Sequence, residues 1–211
     1  ILFFFFFTLL DTLKDISDSV NEVLARHGYP THSYVKYRFF VGDGSETLFR
    51  RALPQENRTN AIIKPLTTEY LQVYNQRWML SSQPYPQIPE LLKEICKRKI
   101  TTAVFSNKIH SATCQMVQAL LPEHNFSLIK GASDELPRKP DPSGARMIAE
   151  ELGIDEKNWL YLGDTDTDML TATAAGMMPV GVSWGFRDSE ELRQNGAQYL
   201  ISSPLELLEL L

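Results

Sequence analysis

The chain has 211 residues, a formal net charge of −5 at neutral pH and 43% hydrophobic residues. This composition is ordinary for a globular protein and excludes a disordered or fibrous chain. Lysine and arginine are dispersed along the sequence, so the basic stripe of a nucleic-acid-binding surface is missing and we expect no nucleic-acid partner. A chain of this length accommodates one α/β domain with a small additional unit.

The first ten residues are almost wholly apolar, and they predict a buried strand over residues 1–8. A run of this length is about half of the ~20 residues needed to cross a bilayer. It also lacks the flanking features of a signal peptide, so we expect no membrane partner. The two cysteines, Cys96 and Cys114, offer no disulfide framework, which favours a cytoplasmic protein.

Residues 11–80 have helical rather than strand periodicity. In the first predicted helix the apolar residues fall on one face, and Gly28 and Pro30 end it. Further helices are predicted over residues 45–53 and 59–80. We therefore predict a helical unit over residues 14–81, inserted after the first strand of a unit formed by residues 1–13 and 82–211.

From Pro84 onward, predicted strands alternate with predicted helices. The strands are expected over residues 101–105, 126–129, 159–162, 179–182 and 198–201. The helices are expected over residues 89–97, 109–121, 142–152, 166–175, 189–195 and 204–211. This alternation predicts an α/β fold with a doubly wound, parallel, Rossmann-like sheet, in which ligands bind beyond the carboxyl ends of the strands.

Two polar segments of the α/β region could bind a phosphate. Ser106 and Asn107 follow a predicted strand, and a hydroxyl and an amide can donate hydrogen bonds to phosphate oxygens. The alternative is a helix cap, in which both residue types are also favoured. Lys139 precedes Pro140 in a segment that leads into a helix, and it could neutralise phosphate charge. The alternative is an ordinary solvated loop lysine.

Three acids follow the predicted strand 159–162 at alternate positions, namely Asp164, Asp166 and Asp168. Carboxylates crowded at one strand end suit Mg²⁺, which takes one or two carboxylates together with water and substrate phosphate. An acid-rich helix start is the alternative, because the helix dipole favours negative charge there. That alternative accounts for one or two acids more readily than for three.

The motifs together resemble those of the haloacid dehalogenase superfamily. Ser106, then Lys139, then Asp164 with Asp168 follow the order and spacing of its second, third and fourth motifs, and the helical insert resembles its C1 cap. Residues 8–12 resemble the end of its first motif. Further segments resemble the phosphoglycolate phosphatase branch: Val41–Gly44, Pro84–Pro86, Ser106–Lys108, Lys139–Pro142 and Trp184–Arg187.

The resemblance implies a phosphatase that uses Mg²⁺ and an aspartyl-phosphate to hydrolyse a small phosphorylated metabolite. It implies that Ser106 hydrogen-bonds the phosphoryl group and that Lys139 neutralises its charge. It further implies that Asp164 binds Mg²⁺ and that Asp168 supports the water shell of the metal. A monomer or a homodimer is expected.

The first motif departs from the family at its reactive positions. The family's nucleophilic aspartate corresponds to Phe4, and its acid/base aspartate to Phe6. The backbone carbonyl of Phe6, which the family uses for Mg²⁺, would remain, whereas Phe7 stands where the family has a glycine.

The resemblance also suggests substrate contacts. We regard Thr8 and Asn107 as candidate substrate-binding residues beside the phosphate site. Gly42 is a candidate in a substrate loop of the cap, and Arg187 is a candidate at the rim of the site. Exposed structural roles are the alternative for Gly42 and Arg187.

The phenylalanine run, Phe3–Phe7, leaves several interpretations open. It is either native, which would make the chain a non-enzymatic binding protein, or introduced to abolish activity, or an error in the recorded residues. Its confinement to the most constrained site of the fold favours an introduced change or an error. A β-phosphoglucomutase-like phosphotransferase or a dehalogenase is also conceivable, but both use the same missing aspartate.

Overall fold

The computed structural model describes residues 2–133 and 136–211, and the side chains of residues 2–6 lie outside that description. The chain forms two compact units, Ile1–Leu10 with Pro84–Leu211, and Asp11–Gln83. The sequence predicts the first boundary between these units after residue 13, and the structure has it after residue 10. The second boundary is predicted after residue 81 and lies after residue 83.

The strands of the described chain are short and distributed along its whole length. They are β1 (Leu2–Phe5), β2 (Leu10–Asp11), β3 (Gln83–Pro84), β4 (Thr102–Ile109), β5 (Leu128–Ala132), β6 (Leu160–Gly163), β7 (Met178–Val182) and β8 (Tyr199–Ile201). Six of them form one sheet in the order β5-β4-β1-β6-β7-β8, and β2 pairs with β3. Every described pair in the large sheet is parallel, which confirms the predicted fold class.

In the unit Asp11–Gln83, called the insert below, the helices follow one another. In the other unit they alternate with the strands. They are α1 (Phe6–Leu9), α2 (Leu13–Arg26), α3 (Tyr34–Phe40), α4 (Ser45–Ala52), α5 (Asn60–Arg77), α6 (Ile88–Lys97), α7 (His110–Leu120), α8 (Ser143–Glu151), α9 (Asp166–Ala175) and α10 (Ser189–Gln194). Among the described residues, no helix is long and apolar enough to cross a membrane.

The core of the α/β unit forms where α8 and α9 pack on the sheet. Phe105 of β4, Ile148 of α8, and Trp159 and Tyr161 around β6 belong to one buried apolar cluster. The first turn of α8 approaches β4 closely, because a Cβ atom on Gly144 would lie 2.2 Å from the Phe105 ring. Burying aromatic side chains of this size contributes strongly to stability and fixes β4 and β6 relative to these helices.

The insert is a small helical bundle with its own core. In α2, Ile16, Val20 and Val23 are buried on one face, as the sequence periodicity predicts. The helix α3 was not predicted, and in it only Tyr37 is buried. The Tyr37 hydroxyl donates a 2.6 Å hydrogen bond to Asn21 of α2. The buried Tyr37 ring, this hydrogen bond and contacts of Phe40 with His32 and Arg51 hold the helix, rather than a continuous apolar face.

Several sequence-based assignments differ from the structure. The strand predicted over residues 1–8 ends at Phe5, and the chain then turns into α1. The strand predicted to end at residue 105 continues as β4 to Ile109, with an irregular register after Phe105. The last predicted α-helix is instead a short 3₁₀ helix, Pro204–Glu209.

Candidate active site

The strand order locates the place where a ligand would bind. The chain runs outward from β1 through β4 and β5 on one side and through β6, β7 and β8 on the other. Phe4 of β1 pairs with Val104 of β4 and Leu162 of β6. Ligand sites of such sheets lie at this reversal, beyond the carboxyl ends of the strands. The residues that follow β1, β4 and β6 therefore meet at one edge.

The two positions expected to carry the reactive aspartates belong to this edge. The backbone of Phe4 lies in β1, and Phe6 is the first residue of α1. The side chains of both residues lie outside the described part of the chain. The Phe6 carbonyl remains a candidate metal ligand by sequence alone.

A buried ion pair joins two of the predicted site residues. The Lys139 ammonium lies 2.8 Å from Oδ1 of Asp168, and the two side chains are 1% and 0% exposed. Lys139 also lies over the Phe105 ring, 5.6 Å from its centroid. A charged pair removed from water needs good geometry and further hydrogen bonds to offset its lost hydration. The arrangement excludes the solvated-loop alternative for Lys139.

The second oxygen of Asp168 supplies those further hydrogen bonds. Oδ2 accepts from the Asp164 amide at 3.2 Å, the Thr165 amide at 3.1 Å and the Thr165 hydroxyl at 2.7 Å. Thr165 in turn caps α9, which completes a capping box. Gly163 permits this packing, since a Cβ atom there would lie 2.2 Å from Cβ of Asp168. Both oxygens of Asp168 are thus engaged by groups of the protein.

Asp164 has one carboxylate oxygen to spare. Its Oδ2 accepts a 2.9 Å hydrogen bond from the Phe186 amide. Its Oδ1 is buried and has no hydrogen-bond partner among the described residues. Burial and then the nearby charge of Asp168 raise the pKa of Asp164 to about 7. A buried oxygen without a donor is the feature expected of a cation ligand.

The loop that carries Gly185 holds Asp164 in place. A Cβ atom on Gly185 would lie 2.2 Å from Cβ and 2.4 Å from Oδ2 of Asp164. The Arg187 amide also donates to the Asp164 carbonyl at 3.2 Å. Any side chain at residue 185 would therefore displace Asp164. This role of Gly185 was not predicted from the sequence, because no local pattern connects Gly185 to Asp164.

Ser106 and Asn107 lie within β4 instead of following it. Both are buried. Asn107 makes two hydrogen bonds with the Lys139 backbone: its Oδ1 accepts from the amide at 2.9 Å and its Nδ2 donates to the carbonyl at 3.3 Å. The Ser106 Oγ accepts from the Lys108 amide at 3.0 Å. Asn107 therefore fixes the segment of Lys139, and Ser106 retains its hydroxyl proton for another acceptor.

Lys108 was not assigned a role from the sequence. Its amide contacts Ser106, and its carbonyl accepts a 3.2 Å hydrogen bond from Thr113 of α7. Burial lowers the pKa of Lys108 to about 7, although part of the residue is still accessible to solvent. A lysine two residues from Ser106 thus titrates near neutral pH.

The remaining candidates are distributed over both units. Thr8 is buried, and its carbonyl accepts a 3.0 Å hydrogen bond from the Trp184 indole. Arg187 forms an ion pair with Glu191 at 2.9 Å, and only 11% of its side chain is exposed. Gly42, in the insert, has a backbone φ of +130°. Thr8 and Arg187 therefore belong to the same unit as Asp164, whereas Gly42 belongs to the other unit.

The described carboxylates fit a magnesium ion only in part. No group of three or more His, Cys, Asp or Glu side chains within residues 7–133 and 136–211 is arranged to hold a metal. The spare oxygen of Asp164 nevertheless matches the single-carboxylate mode in which Mg²⁺ keeps most of its water. The donor set is therefore compatible with Mg²⁺ bound through Asp164, with ligands from outside these side chains.

Comparison with known proteins shows the family of the chain. A family model described as haloacid dehalogenase-like hydrolase matches residues 1–182. The chain belongs to this family. It is 31% identical over 209 residues to a protein of Neisseria meningitidis named phosphoglycolate phosphatase, covering 96% of this chain and 88% of that protein. A phosphoglycolate phosphatase of Mesorhizobium japonicum is also 31% identical, over 86% of this chain and 81% of its own length.

The solved structure of a haloacid dehalogenase-like hydrolase from Streptococcus pneumoniae has the same fold. It superimposes with a TM-score of 0.89 at 25% identity, covering 99% of this chain and 96% of that one. Membership of the family identifies the chain as a hydrolase-type enzyme by descent and confirms the resemblance seen in its motifs.

Proposed function

We propose that the site at the ends of β1, β4 and β6 is a phosphatase site for a small organic phosphate such as 2-phosphoglycolate. The observation that carries the proposal is the buried Lys139–Asp168 pair beside Asp164, whose Oδ1 lacks a partner among the described residues. A cation, a spare carboxylate oxygen and a hydroxyl at one strand edge match the needs of phosphoryl transfer, which depends mainly on positioning and charge stabilisation.

Each described residue has a distinct role in this proposal. The Ser106 hydroxyl donates to a phosphoryl oxygen, and the Lys139 ammonium neutralises negative charge. Asp168 orients the Lys139 ammonium, and Asn107 fixes the backbone that carries Lys139. Asp164 would hold Mg²⁺, with Asp168 supporting the residues around it. When bound, Mg²⁺ would supply positive charge to the phosphoryl oxygens.

The covalent step requires residues that the printed sequence lacks. In a working phosphatase of this type, an aspartate at position 4 attacks phosphorus, and one at position 6 protonates the leaving oxygen and then activates water. Phenylalanine can do neither. Loss of the acid/base group alone lowers the reaction rate by a factor of about 10²–10⁴. With Phe4 and Phe6 present, the chain would bind a phosphorylated ligand without forming an aspartyl-phosphate.

The substrate assignment follows the relatives. Two proteins that match most of this chain are named phosphoglycolate phosphatase, which supports a small phosphorylated metabolite as the ligand. The free cysteines Cys96 and Cys114 are compatible with a cytoplasmic protein. The second candidate function, a non-enzymatic binding protein, is favoured only by Phe4 and Phe6.

Peptide mass spectrometry across residues 1–14 decides which residues occupy positions 4 and 6. Calorimetric titration with Mg²⁺ then tests the site itself, with the D164N variant and D166N as a matched control. Asp166 lies in the same turn but does not provide the buried, unpartnered oxygen. We expect D164N to abolish Mg²⁺ binding and D166N to retain it. Equal binding by the protein and D164N would contradict the proposal.

A further inference from the structure

One short segment contacts two parts of the candidate site that are far apart in the sequence. This bridging segment, Trp184–Arg187, lies between β7 and α10. The Trp184 indole N–H donates a 3.0 Å hydrogen bond to the Thr8 carbonyl of α1, 176 residues away in the sequence. The Phe186 and Phe7 rings are both buried, and their centroids lie 4.9 Å apart. Two side chains of the bridging segment therefore hold α1.

The backbone of the bridging segment holds Asp164. The Phe186 amide donates to Oδ2 of Asp164 at 2.9 Å, and the Arg187 amide donates to the Asp164 carbonyl at 3.2 Å. Gly185 allows this close approach, since a Cβ atom there would lie 2.2 Å from Cβ of Asp164. Within four consecutive residues, side chains thus reach α1 and backbone amides reach Asp164.

The sheet alone does not fix α1 relative to Asp164. Strands β1 and β6 are paired as far as Phe4 with Leu162, whereas α1 and Asp164 follow the ends of these strands. Beyond the strand ends, the bridging segment joins the two. A hydrogen bond fixes both distance and direction, whereas two apolar rings can shift against each other. The indole hydrogen bond of Trp184 is therefore well suited to set the position of α1.

We propose that Trp184 is a positioning residue, which anchors the bridging segment on Thr8 and so holds α1 and Asp164 at a constant separation. The first residue of α1 is Phe6, whose backbone carbonyl is the second candidate ligand for Mg²⁺. A cation bound by this carbonyl and by Asp164 needs both at a fixed separation, because Mg²⁺ demands near-ideal octahedral geometry. This consequence for the metal rests on the proposed function, whereas the link from Trp184 to Asp164 does not.

Residue-resolved NMR of a W184F variant tests the link in the full chain. The substitution removes the indole donor and keeps an aromatic ring at a position that is only partly buried. We expect the Phe186 and Arg187 amide resonances to shift and these amides to exchange at least about tenfold faster, since local opening energies set exchange rates. The amides of Val180 and Val182 in β7 should keep their shifts and their exchange rates.

Calorimetric titration with Mg²⁺ tests the consequence for the metal. We expect W184F to bind Mg²⁺ about tenfold more weakly than the unsubstituted chain, as is usual when a residue that orients a metal ligand is substituted. W159F is the matched control, because it also removes an indole donor, which bonds the Ile154 carbonyl at 3.3 Å. Trp159 precedes β6 and Asp164 follows it, so W159F should retain the Mg²⁺ affinity.

A measurement without any substitution covers the case in which W184F does not fold. In the unsubstituted chain at low urea concentrations, the Trp184 indole N–H and the Phe186 and Arg187 amides should open with the same free energy, because they belong to one linked segment. Different opening energies for the indole and the two amides would show that the link does not exist.

Three results from W184F would overturn the positioning role. The first is unchanged exchange at Phe186 and Arg187. The second is equal acceleration throughout β7, which would make Trp184 a general packing residue. The third is unchanged Mg²⁺ affinity, where the unsubstituted chain binds Mg²⁺. If the unsubstituted chain binds no Mg²⁺, the proposed function fails, and amide exchange alone decides whether Trp184 positions Asp164.

Discussion

The Lys139 ammonium and the Asp168 carboxylate form an ion pair of 2.8 Å from which water is almost wholly excluded. Such a pair adds little to stability when compared with well-packed apolar residues, but removing one partner leaves an uncompensated buried charge. Here the remaining oxygen of Asp168 is held by three donors. The Lys139 ammonium is therefore held in one position within the site that contains Asp164.

The ion pair predicts strongly non-additive effects of mutation. K139M and D168N should each lower the free energy of unfolding by about 3–5 kcal/mol, because each leaves the other charge buried and unpaired. The K139M/D168N double variant should cost less than the sum by about 2 kcal/mol. Urea unfolding of the four proteins measures this coupling, and additive costs would show that the two side chains do not interact appreciably.

The close approach of residue 185 to Asp164 predicts a metal-binding defect without loss of a ligand. In G185A the new methyl group would start 2.2 Å from Cβ of Asp164, so the carboxylate must move. We expect Mg²⁺ affinity to fall by about 10–100-fold, as is usual when a residue that orients a metal ligand is substituted. Calorimetry provides the measurement, with S183A as the control from an exposed position in the same loop. Unchanged affinity in G185A would contradict the assignment of Asp164.

The lowered pKa of Lys108 predicts that the stability of the protein depends on pH. Burial lowers its pKa in the folded protein to about 7 from an ordinary value of 10.5, so between these values the unfolded chain binds more protons. Stability must then rise with pH across this window. The free energy of unfolding of the protein should therefore increase, relative to K108M, between pH 7 and pH 10.

Urea unfolding at several pH values, with the exposed Lys93 replaced in K93M as a control, checks this prediction. Relative to K93M, the protein should show no such trend, because Lys93 lies on the surface of α6. A constant difference between the protein and K108M from pH 7 to pH 10 would mean that the Lys108 ammonium is not destabilised by burial.

Much of the fold was predictable because periodicity reports burial. The apolar face of α2 and the alternation of strands and helices after Pro84 follow directly from side-chain spacing. The continuous apolar run at the start was ambiguous, since a strand and a buried helical turn such as α1 have the same composition. Helix α3 was missed because Tyr37 is its one buried residue, which leaves no periodic apolar face to detect.

The candidate site was predictable only where its residues are close in sequence. Asp164 and Asp168 share one turn, and their spacing at a strand end indicated a cation site. The contact of Gly185 with Asp164 and the hydrogen bond from Trp184 to Thr8 connect distant segments, so no local sequence pattern predicts them.

The most direct test of the central claim is Mg²⁺-dependent release of phosphate from 2-phosphoglycolate, measured for the printed chain and for the triple variant F4D/F6D/F7G. The variant restores the side chains that the covalent step requires beside Ser106, Lys139 and Asp164. We expect no release above background from the printed chain, and Mg²⁺-dependent release from the variant that K139M abolishes. Two results would contradict the assignment of this site as a phosphatase site that needs both aspartates. One is a folded variant that releases no phosphate from 2-phosphoglycolate or any other small phosphomonoester. The other is turnover by the chain with Phe4 and Phe6.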